Sequence, residues 1–172
     1  MLGLSAKLLA AAERGEIRHG RDAQEMDLDY RNSTLSLERP ARTAGVRAGE
    51  RAPDAPCRSA SGHAIRLFSR SQGPHWTLLG YEVDRAAIAP RANLRINCVG
   101  RGGDIIDDGG NIHSGYGVSP GSWVLTRPDG YVGAIVCPGE MAPLSNYLDD
   151  VGLETVPRPT TSSPTSSARP AN

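Results

Sequence analysis

The sequence lacks net charge and long apolar runs. Its 19 Lys and Arg residues balance 19 Asp and Glu residues, so it has no basic excess of the kind that binds nucleic acid or anionic membranes. No segment approaches the roughly 18 consecutive apolar residues that a membrane span needs. Residues 1–17 carry charge too early for a secretory signal. These absences predict a cytoplasmic protein with no nucleic acid and no membrane as partner.

Cysteine is scarce as well. Cys57, Cys98 and Cys137 are odd in number and form no C-x-x-C pair, which argues against a disulfide framework and a zinc ribbon. Cys98 is expected to be a small core residue inside a strand, and Cys137 lies at a strand end before a proline. The sequence predicts reduced thiols and leaves the roles of these cysteines open.

Motifs for nucleotide, metal or hydrolytic chemistry are also missing. Residues 100–105 start like a dinucleotide-binding G-x-G-x-x-G turn but have Ile in place of the third Gly and lead into no clear helix. The other candidates are His19, His63, His75 and His113 for a metal, Asp104, Asp107, Asp108 and Asn111 for a cation, and Ser119 and Ser122 for hydrolysis. None has the spacing of a known ligand set or nucleophile elbow, so a metal site would need tertiary proximity. We predict no catalytic, cofactor-binding or metal-binding residues here.

A length of 172 residues predicts one domain with a hydrophobic core. At the amino terminus, Leu4, Leu8, Leu9 and Ala12 share one stripe at helical spacing, which predicts an amphipathic helix that covers the chain's own core or docks on a partner. Residues 26–30 alternate like one edge strand. We assign residues 1–47 to this helical extension and linker.

The domain itself is predicted to span residues 48–155. It opens on a turn-rich segment, residues 49–56, in which Pro53 and Pro56 bar a regular helix or a central strand. Residues 156–172 are almost entirely Pro, Thr, Ser, Arg and Ala, a composition that cannot bury enough apolar surface to offset its ordering entropy. A disordered tail is expected there.

Two segments of this domain read as adjacent strands. Residues 75–83 are rich in β-formers and mostly apolar, as expected of a central strand buried on both faces. Residues 93–99 alternate apolar with polar and predict a half-exposed strand. Between them, residues 84–92 predict a short crossover helix with Asp84 as its cap and Pro90 at its end.

The strongest local signal is a hairpin. Residues 123–126 and 131–136 are apolar and β-rich, and they flank Pro128, Asp129 and Gly130. In such a turn Pro presets φ, Asp bonds the backbone and Gly takes the positive-φ position. Residues 141–151 then predict a closing helix that buries one face, formed by Leu144, Tyr147 and Leu148.

This order of elements is typical of a thioredoxin-like α/β sandwich, with a central mixed sheet and flanking helices. Thiol redox chemistry on that fold needs a C-x-x-C where the first strand meets its helix, but residues 84–87 contain no thiol and Cys57 precedes the strand. Ser122 stands where thioredoxins keep a cis-proline. Although residues 49–54 resemble the opening of peroxiredoxins, both redox hallmarks are missing.

Four sequence blocks carry a family likeness: RAGERAPD at 47–54, RLF at 66–68, GPHWTLL at 73–79 and VLTRPDGYVG at 124–133. In this order they resemble the C-terminal domain of class A flavin-dependent aromatic-ring hydroxylases of the phenol, pentachlorophenol and polyketide type. DYRNS at 29–33 is similar to the linker from that family's middle domain.

The resemblance implies a thioredoxin-like domain without redox cysteines, which is either a noncatalytic packing or dimerisation module or a truncated relic of such an enzyme. FAD and NAD(P)H are implied for full-length members only, and no cofactor is expected in this chain. The implied partners are a second copy, giving a homodimer, or a separately encoded flavin-binding chain. The alternative is a stand-alone small-molecule-binding or redox protein on the same scaffold, because a fold does not by itself assign a function.

Overall fold

The fold is a mixed sheet with helices packed on its two faces. A computed structural model describes residues 36–41 and 44–156. Its strands are β1 (Leu37–Arg39), β2 (Pro56–Ser59), β3 (Ala64–Arg66), β4 (Trp76–Tyr81), β5 (Leu94–Val99), β6 (Ile105–Ile106), β7 (Ser122–Thr126) and β8 (Val132–Val136). Its helices are α1 (Phe68–Ser71), α2 (Asn111–Tyr116) and α3 (Met141–Asp150), and a 3₁₀ turn spans Arg85–Ala87.

The strands follow the order β1-β8-β7-β4-β5-β6-β2-β3 in one sheet. At its centre β4 runs parallel to β5 and antiparallel to β7. The outer strand β1 runs parallel to β8. The predicted α/β sandwich with a central mixed sheet is confirmed, and β4 is the central strand that its apolar sequence indicated.

Each face of the sheet has its own core, because successive side chains of a strand point to opposite faces. On one side, called the α2 face, Leu79 of β4 packs with Ile112 and Tyr116 of α2. On the other, called the α3 face, Leu78 packs in the core that contains Trp123 and Leu144. Since both neighbours in sequence are buried, β4 shows the continuous apolar pattern of a strand covered on both sides.

The predicted hairpin and closing helix are both present. β7 and β8 pair antiparallel around the Pro-Asp-Gly turn, where Gly130 has a φ of 86° and its N–H donates to Arg127 O at 2.9 Å. Asp129 Oδ1 accepts from the Tyr131 N–H at 3.2 Å. In α3, Leu144, Tyr147 and Leu148 are buried as the helical spacing predicted. The local turn chemistry therefore determines the β7–β8 hairpin.

The predicted crossover helix over residues 84–92 is wrong in length. Asp84 does act as a cap, accepting from the Ala86 N–H at 2.9 Å, but only the 3₁₀ turn Arg85–Ala87 forms. The residues that follow bond the carboxyl-terminal segment instead: the Ala92 N–H donates to Glu154 O, and the Val156 N–H donates to Pro90 O. Backbone pairing with a distant segment thus replaces the helical hydrogen bonds.

The burial of β5 also differs from the expected half-exposed strand. Its first residues follow that pattern, with Arg95 exposed, but its second half, Asn97 to Val99, is buried on both faces. Parallel strands in the middle of a sheet are covered on two sides. The alternation in the sequence therefore describes only the first half of β5, where the side chains are partly exposed to solvent.

Residues upstream of the predicted boundary at 48 take part in the same fold. Leu37 of β1 pairs with Ala134 of β8, Val46 is buried in the α2-face core, and Glu38 Oε2 accepts from the Ala48 N–H at 3.3 Å. The division at residue 48 stays a prediction. The amino-terminal helix, the strand at 26–30, the linker at 29–33 and residues 157–172 of the expected tail lie outside the described residues.

Asp54 fixes the position of α1. Its Oδ1 accepts from the Phe68 N–H at 2.9 Å, and its Oδ2 accepts from Arg66 Nε at 2.7 Å. Burial on its own would raise the pKa of this carboxyl, but the hydrogen bonds from Phe68 and Arg66, with the charge of Arg66, outweigh burial and lower the pKa from its usual value. The Asp of the RAGERAPD block is thus a helix anchor.

Replacing Asp54 by Ala is expected to lower the free energy of unfolding by about 1–2 kcal/mol at neutral pH, because a capping bond and an ion pair are lost. A lowered folded pKa gives stability that is present above the unfolded pKa and disappears as the pH falls through the folded value. Urea denaturation at pH 7 and near pH 3 should therefore show the difference shrinking in acid. Asp150→Asn, at an exposed position, serves as control, and an equal loss there would argue against the anchor.

Candidate functional site

A cleft opens at the carboxyl ends of the two parallel central strands. The chain leaves β4 over the α3 face, where Ile88 is buried, and it leaves β5 toward α2 on the opposite face. Such a divergence of adjacent connections is where α/β sheets form ligand crevices. The cleft measures about 720 Å³ and is lined by residues 82–85 and 98–104. It includes the position after β4, which corresponds to the place where redox members of this fold class keep their thiol.

Three charged side chains of this cleft have partners within the protein. Asp84 caps the 3₁₀ turn, and the Arg85 guanidinium forms an ion pair with Asp104 and donates to Ile96 O at 3.2 Å. Asp104 also accepts from the Cys98 N–H at 2.8 Å. Arg85 and Asp104 therefore hold the ends of β4 and β5 together, and Asp84 stabilises the turn between them.

The glycine-rich loop 100–105 folds back on itself. The Gly100 N–H donates to Ile105 O at 2.9 Å, and the Gly103 N–H donates to Gly100 O at 3.1 Å. A Cβ on Gly103 would lie 2.4 Å from Cys98 O, which explains why glycine stands there. The loop continues into β6 rather than into a helix. It thus lacks the helix amino terminus that holds a pyrophosphate in dinucleotide-binding folds.

The described thiols near charged groups are not activated. Cys98 lines the cleft, but burial raises its pKa and Asp104 adds to the effect, against an opposing contribution from Arg85. Burial also raises the pKa of Cys57, with Asp107 and Asp54 contributing. Because the thiolate is the nucleophile, both groups are poorly suited to disulfide exchange at neutral pH.

The acidic loop that was considered for a cation is a helix start. Asp107 Oδ2 accepts from the Ile112 and His113 N–H groups at 3.1 and 2.9 Å, so it caps α2. Asp108 pairs with Arg58 at 2.7 Å, and Asn111 Nδ2 donates to Pro56 O at 3.3 Å. Within residues 36–41 and 44–156, no group of three or more His, Cys, Asp and Glu side chains is placed to hold a metal ion.

The histidines and serines are dispersed. His113 packs against Tyr81 with ring centroids 5.9 Å apart and ring planes tilted by 40°, and His63 Nδ1 bonds the Ser61 hydroxyl at 2.8 Å. The Nε2 atom of His75 is buried and has no hydrogen-bond partner among the described residues, and His19 falls outside them. Ser122 Oγ accepts from the Ser119 N–H at 3.2 Å. These contacts are those of turns and packing.

Sequence reasoning missed two sets of buried polar residues. Arg91 is buried, pairs with Asp149 and donates to Leu153 O at 2.7 Å, which ties the end of α3 to the crossover. Thr77, Asn97 and Thr126 are buried in three adjacent strands. For Thr77, Asn97 and Thr126 the sequence did carry a signal, because each is a polar residue within a β-rich segment.

In the part of the chain that the structure describes, no helix has the length and apolar content to cross a bilayer.

Comparison with known sequences finds a relative among the monooxygenases. A flavin-dependent monooxygenase of Mycobacteroides abscessus is 31% identical over 111 residues, which are 64% of this chain and 20% of that protein. No protein-family model matches the chain. The chain therefore spans about a fifth of the relative it matches.

Two solved structures share the fold. The flavin-dependent monooxygenase PieE, in complex with FAD and substrate, superposes with a TM-score of 0.60 at 20% identity, over 84% of this chain and 29% of PieE. Aklavinone-11 hydroxylase, in a ternary complex with FAD and aklavinone, gives a TM-score of 0.54 at 25% identity, over 72% of this chain and 26% of the hydroxylase. Together these matches confirm the predicted family resemblance. The chain is similar to one part of the flavin-dependent monooxygenases.

Proposed function

We propose that this chain is the noncatalytic C-terminal module of an FAD-dependent aromatic-ring monooxygenase and acts through packing or dimerisation. One observation carries the proposal. In the cleft at the ends of β4 and β5, Arg85 and Asp104 form an ion pair, Asp84 caps the 3₁₀ turn through the Ala86 N–H, and the thiol of Cys98 has a raised pKa. Neither redox chemistry nor flavin binding has a set of residues there.

The extent of the matches supports the same interpretation. The chain corresponds to 20% to 29% of the monooxygenases it matches, and the two structures hold FAD in much longer chains. FAD and NAD(P)H therefore enter the proposal as ligands of protein parts other than these residues. Ring hydroxylation needs the flavin itself, because the cofactor carries that chemistry.

A preformed core suits a packing module. The chain fills the core of each sheet face with its own residues, including Leu144 and Leu148 of α3 and Ile112 of α2. Such a domain presents a rigid surface, and a rigid partner loses little conformational entropy on docking. We expect it to stabilise the flavin-bearing part of the monooxygenase or to join two copies.

The proposal predicts that the purified chain does not bind FAD. Titration of FAD with the chain should leave the flavin fluorescence unchanged up to about 100 µM protein, a concentration that would reveal even weak binding. Saturable quenching would contradict the module interpretation. Reduction of insulin disulfides by the chain would instead favour the stand-alone redox alternative.

A chimera tests the packing role directly. The chain would replace its matched segment in aklavinone-11 hydroxylase, alongside the same enzyme truncated at that point. We expect the chimera to retain bound FAD and a higher Tm than the truncated enzyme. Light scattering on the free chain reports whether it forms a homodimer. A chimera no more stable than the truncated enzyme, with a monomeric free chain, would overturn the proposal.

A further inference from the structure

A small polar cavity lies beneath α1 on the α2 face. The buried atoms Thr77 Oγ1, Asn97 Nδ2 and Arg70 Nε line it and have no hydrogen-bond partner among the described residues. Thr77 is 5% exposed and Asn97 6%. Buried polar atoms are nearly always hydrogen-bonded, so these three require a partner that the described residues do not supply.

Strand register brings these side chains together. Thr77 of β4 pairs with Thr126 of β7, and Asn97 of β5 lies beside Leu79. Thr77 and Asn97 therefore project from adjacent strands toward the same face. Arg70 comes from α1, whose position Asp54 fixes. The full lining is Leu67, Arg70, Ser71, Thr77, Leu79, Asn97, Tyr116 and Thr126.

The chemistry of the lining defines the ligand. Arg70 Nε and Asn97 Nδ2 are donors only, whereas the Thr77 hydroxyl both donates and accepts. The ligand must therefore accept hydrogen bonds from Arg70 and Asn97, and either donate one to Thr77 Oγ1 or accept one from it. The centre of a water-sized sphere can occupy about 10 Å³ of this cavity. This volume is close to the minimum for one water and too small for an organic anion.

We propose that the cavity binds one structural water, which accepts hydrogen bonds from Arg70 Nε and Asn97 Nδ2 and donates one to Thr77 Oγ1. The water connects α1 to β4 and β5 and satisfies all three buried atoms. A buried water with three such bonds has the usual coordination of ordered internal waters. The site stands independently of the proposed role in a monooxygenase.

A high-resolution crystal structure of the full chain tests this site. We expect a density peak at hydrogen-bond distance, about 2.7–3.2 Å, from the three named atoms. The proposal is overturned if the density shows no peak there and Thr77 bonds Asn97 directly. It is equally overturned if a rotated side chain fills the cavity.

Water ¹⁷O relaxation dispersion gives a second readout in solution. The double variant Thr77→Val/Asn97→Leu removes two of the water's partners and should show one long-lived internal water fewer than the native chain. Thr155→Val makes the same isosteric change at an exposed position and should leave the number unchanged. An unchanged number in a folded double variant contradicts the site, and the native crystal structure decides if that variant does not fold.

Discussion

Replacing Trp123 by Ala is expected to lower the free energy of unfolding by about 3–5 kcal/mol, the range for removing a large aromatic side chain from a core. Trp123 is 2% exposed and lies in the α3-face core. Its ring packs over the backbone of β4, where a Cβ on Gly80 would come within 2.7 Å of the indole. Urea denaturation followed by far-UV circular dichroism measures the loss.

The complementary change is Gly80→Ala, which adds a methyl group where Trp123 and Val83 leave no room. Overpacking of this kind costs about 1–3 kcal/mol. In a Trp123→Leu background the added methyl should cost less, so the double-mutant cycle should give a coupling of about 0.5 kcal/mol or more. Strict additivity would show that the two residues are not in the contact described.

Replacing Gly117 by Ala is expected to destabilise the fold by about 2–5 kcal/mol, since the left-handed backbone and the close packing each oppose a side chain. Gly117 ends α2 with a φ of 59°. A Cβ there would lie 2.5 Å from Ala44 O. Because backbone atoms cannot rotate away as a side chain can, relief requires moving the loop before β2. Thermal and urea denaturation give the size of the effect.

Gly139→Ala separates the two causes. Gly139 also has a positive φ, 90°, but a Cβ there meets no atom within 4 Å. This variant should cost only about 1 kcal/mol, the penalty of the backbone conformation. Equal losses at Gly117 and Gly139 would rule out the close approach of the loop. They would also weaken the conclusion that residues upstream of 48 are integral to the domain.

The elements predicted correctly are those specified by neighbouring residues. Pro128, Asp129 and Gly130 determine a turn within four positions, and Leu144, Tyr147 and Leu148 mark one helix face within five. Local chemistry and periodicity are sufficient for such elements. The same is true of β4, whose apolar run reports a strand covered on both sides.

The elements that sequence reasoning missed depend on distant partners. β1 has three residues and forms only because β8 offers an edge. The crossover helix yields to backbone bonds with the segment around Glu154. From its sequence context Arg91 would be expected at the surface, but in the structure it is buried and bonded to Leu153 O and Asp149. No local pattern contains these contacts, since each partner is set by the tertiary fold.

The candidate site was predictable in one respect and not in another. The absence of a thiol after β4 can be read directly from residues 84–87. The ion pair between Arg85 and Asp104 cannot, because it joins the connections that follow two different strands. The order of the sequence blocks was sufficient to indicate the family likeness. The structural role of Asp54 in one of those blocks follows only from its bonds to Phe68 and Arg66.

The pairing of β1 with β8 has a consequence for how the chain is made. Leu37 leaves the ribosome well before its partner Ala134. Contacts between such distant segments carry the loop-closure entropy of everything between them and form late. During translation β1 therefore stays unpaired until β8 has been synthesised, although β1 precedes the other described strands along the chain.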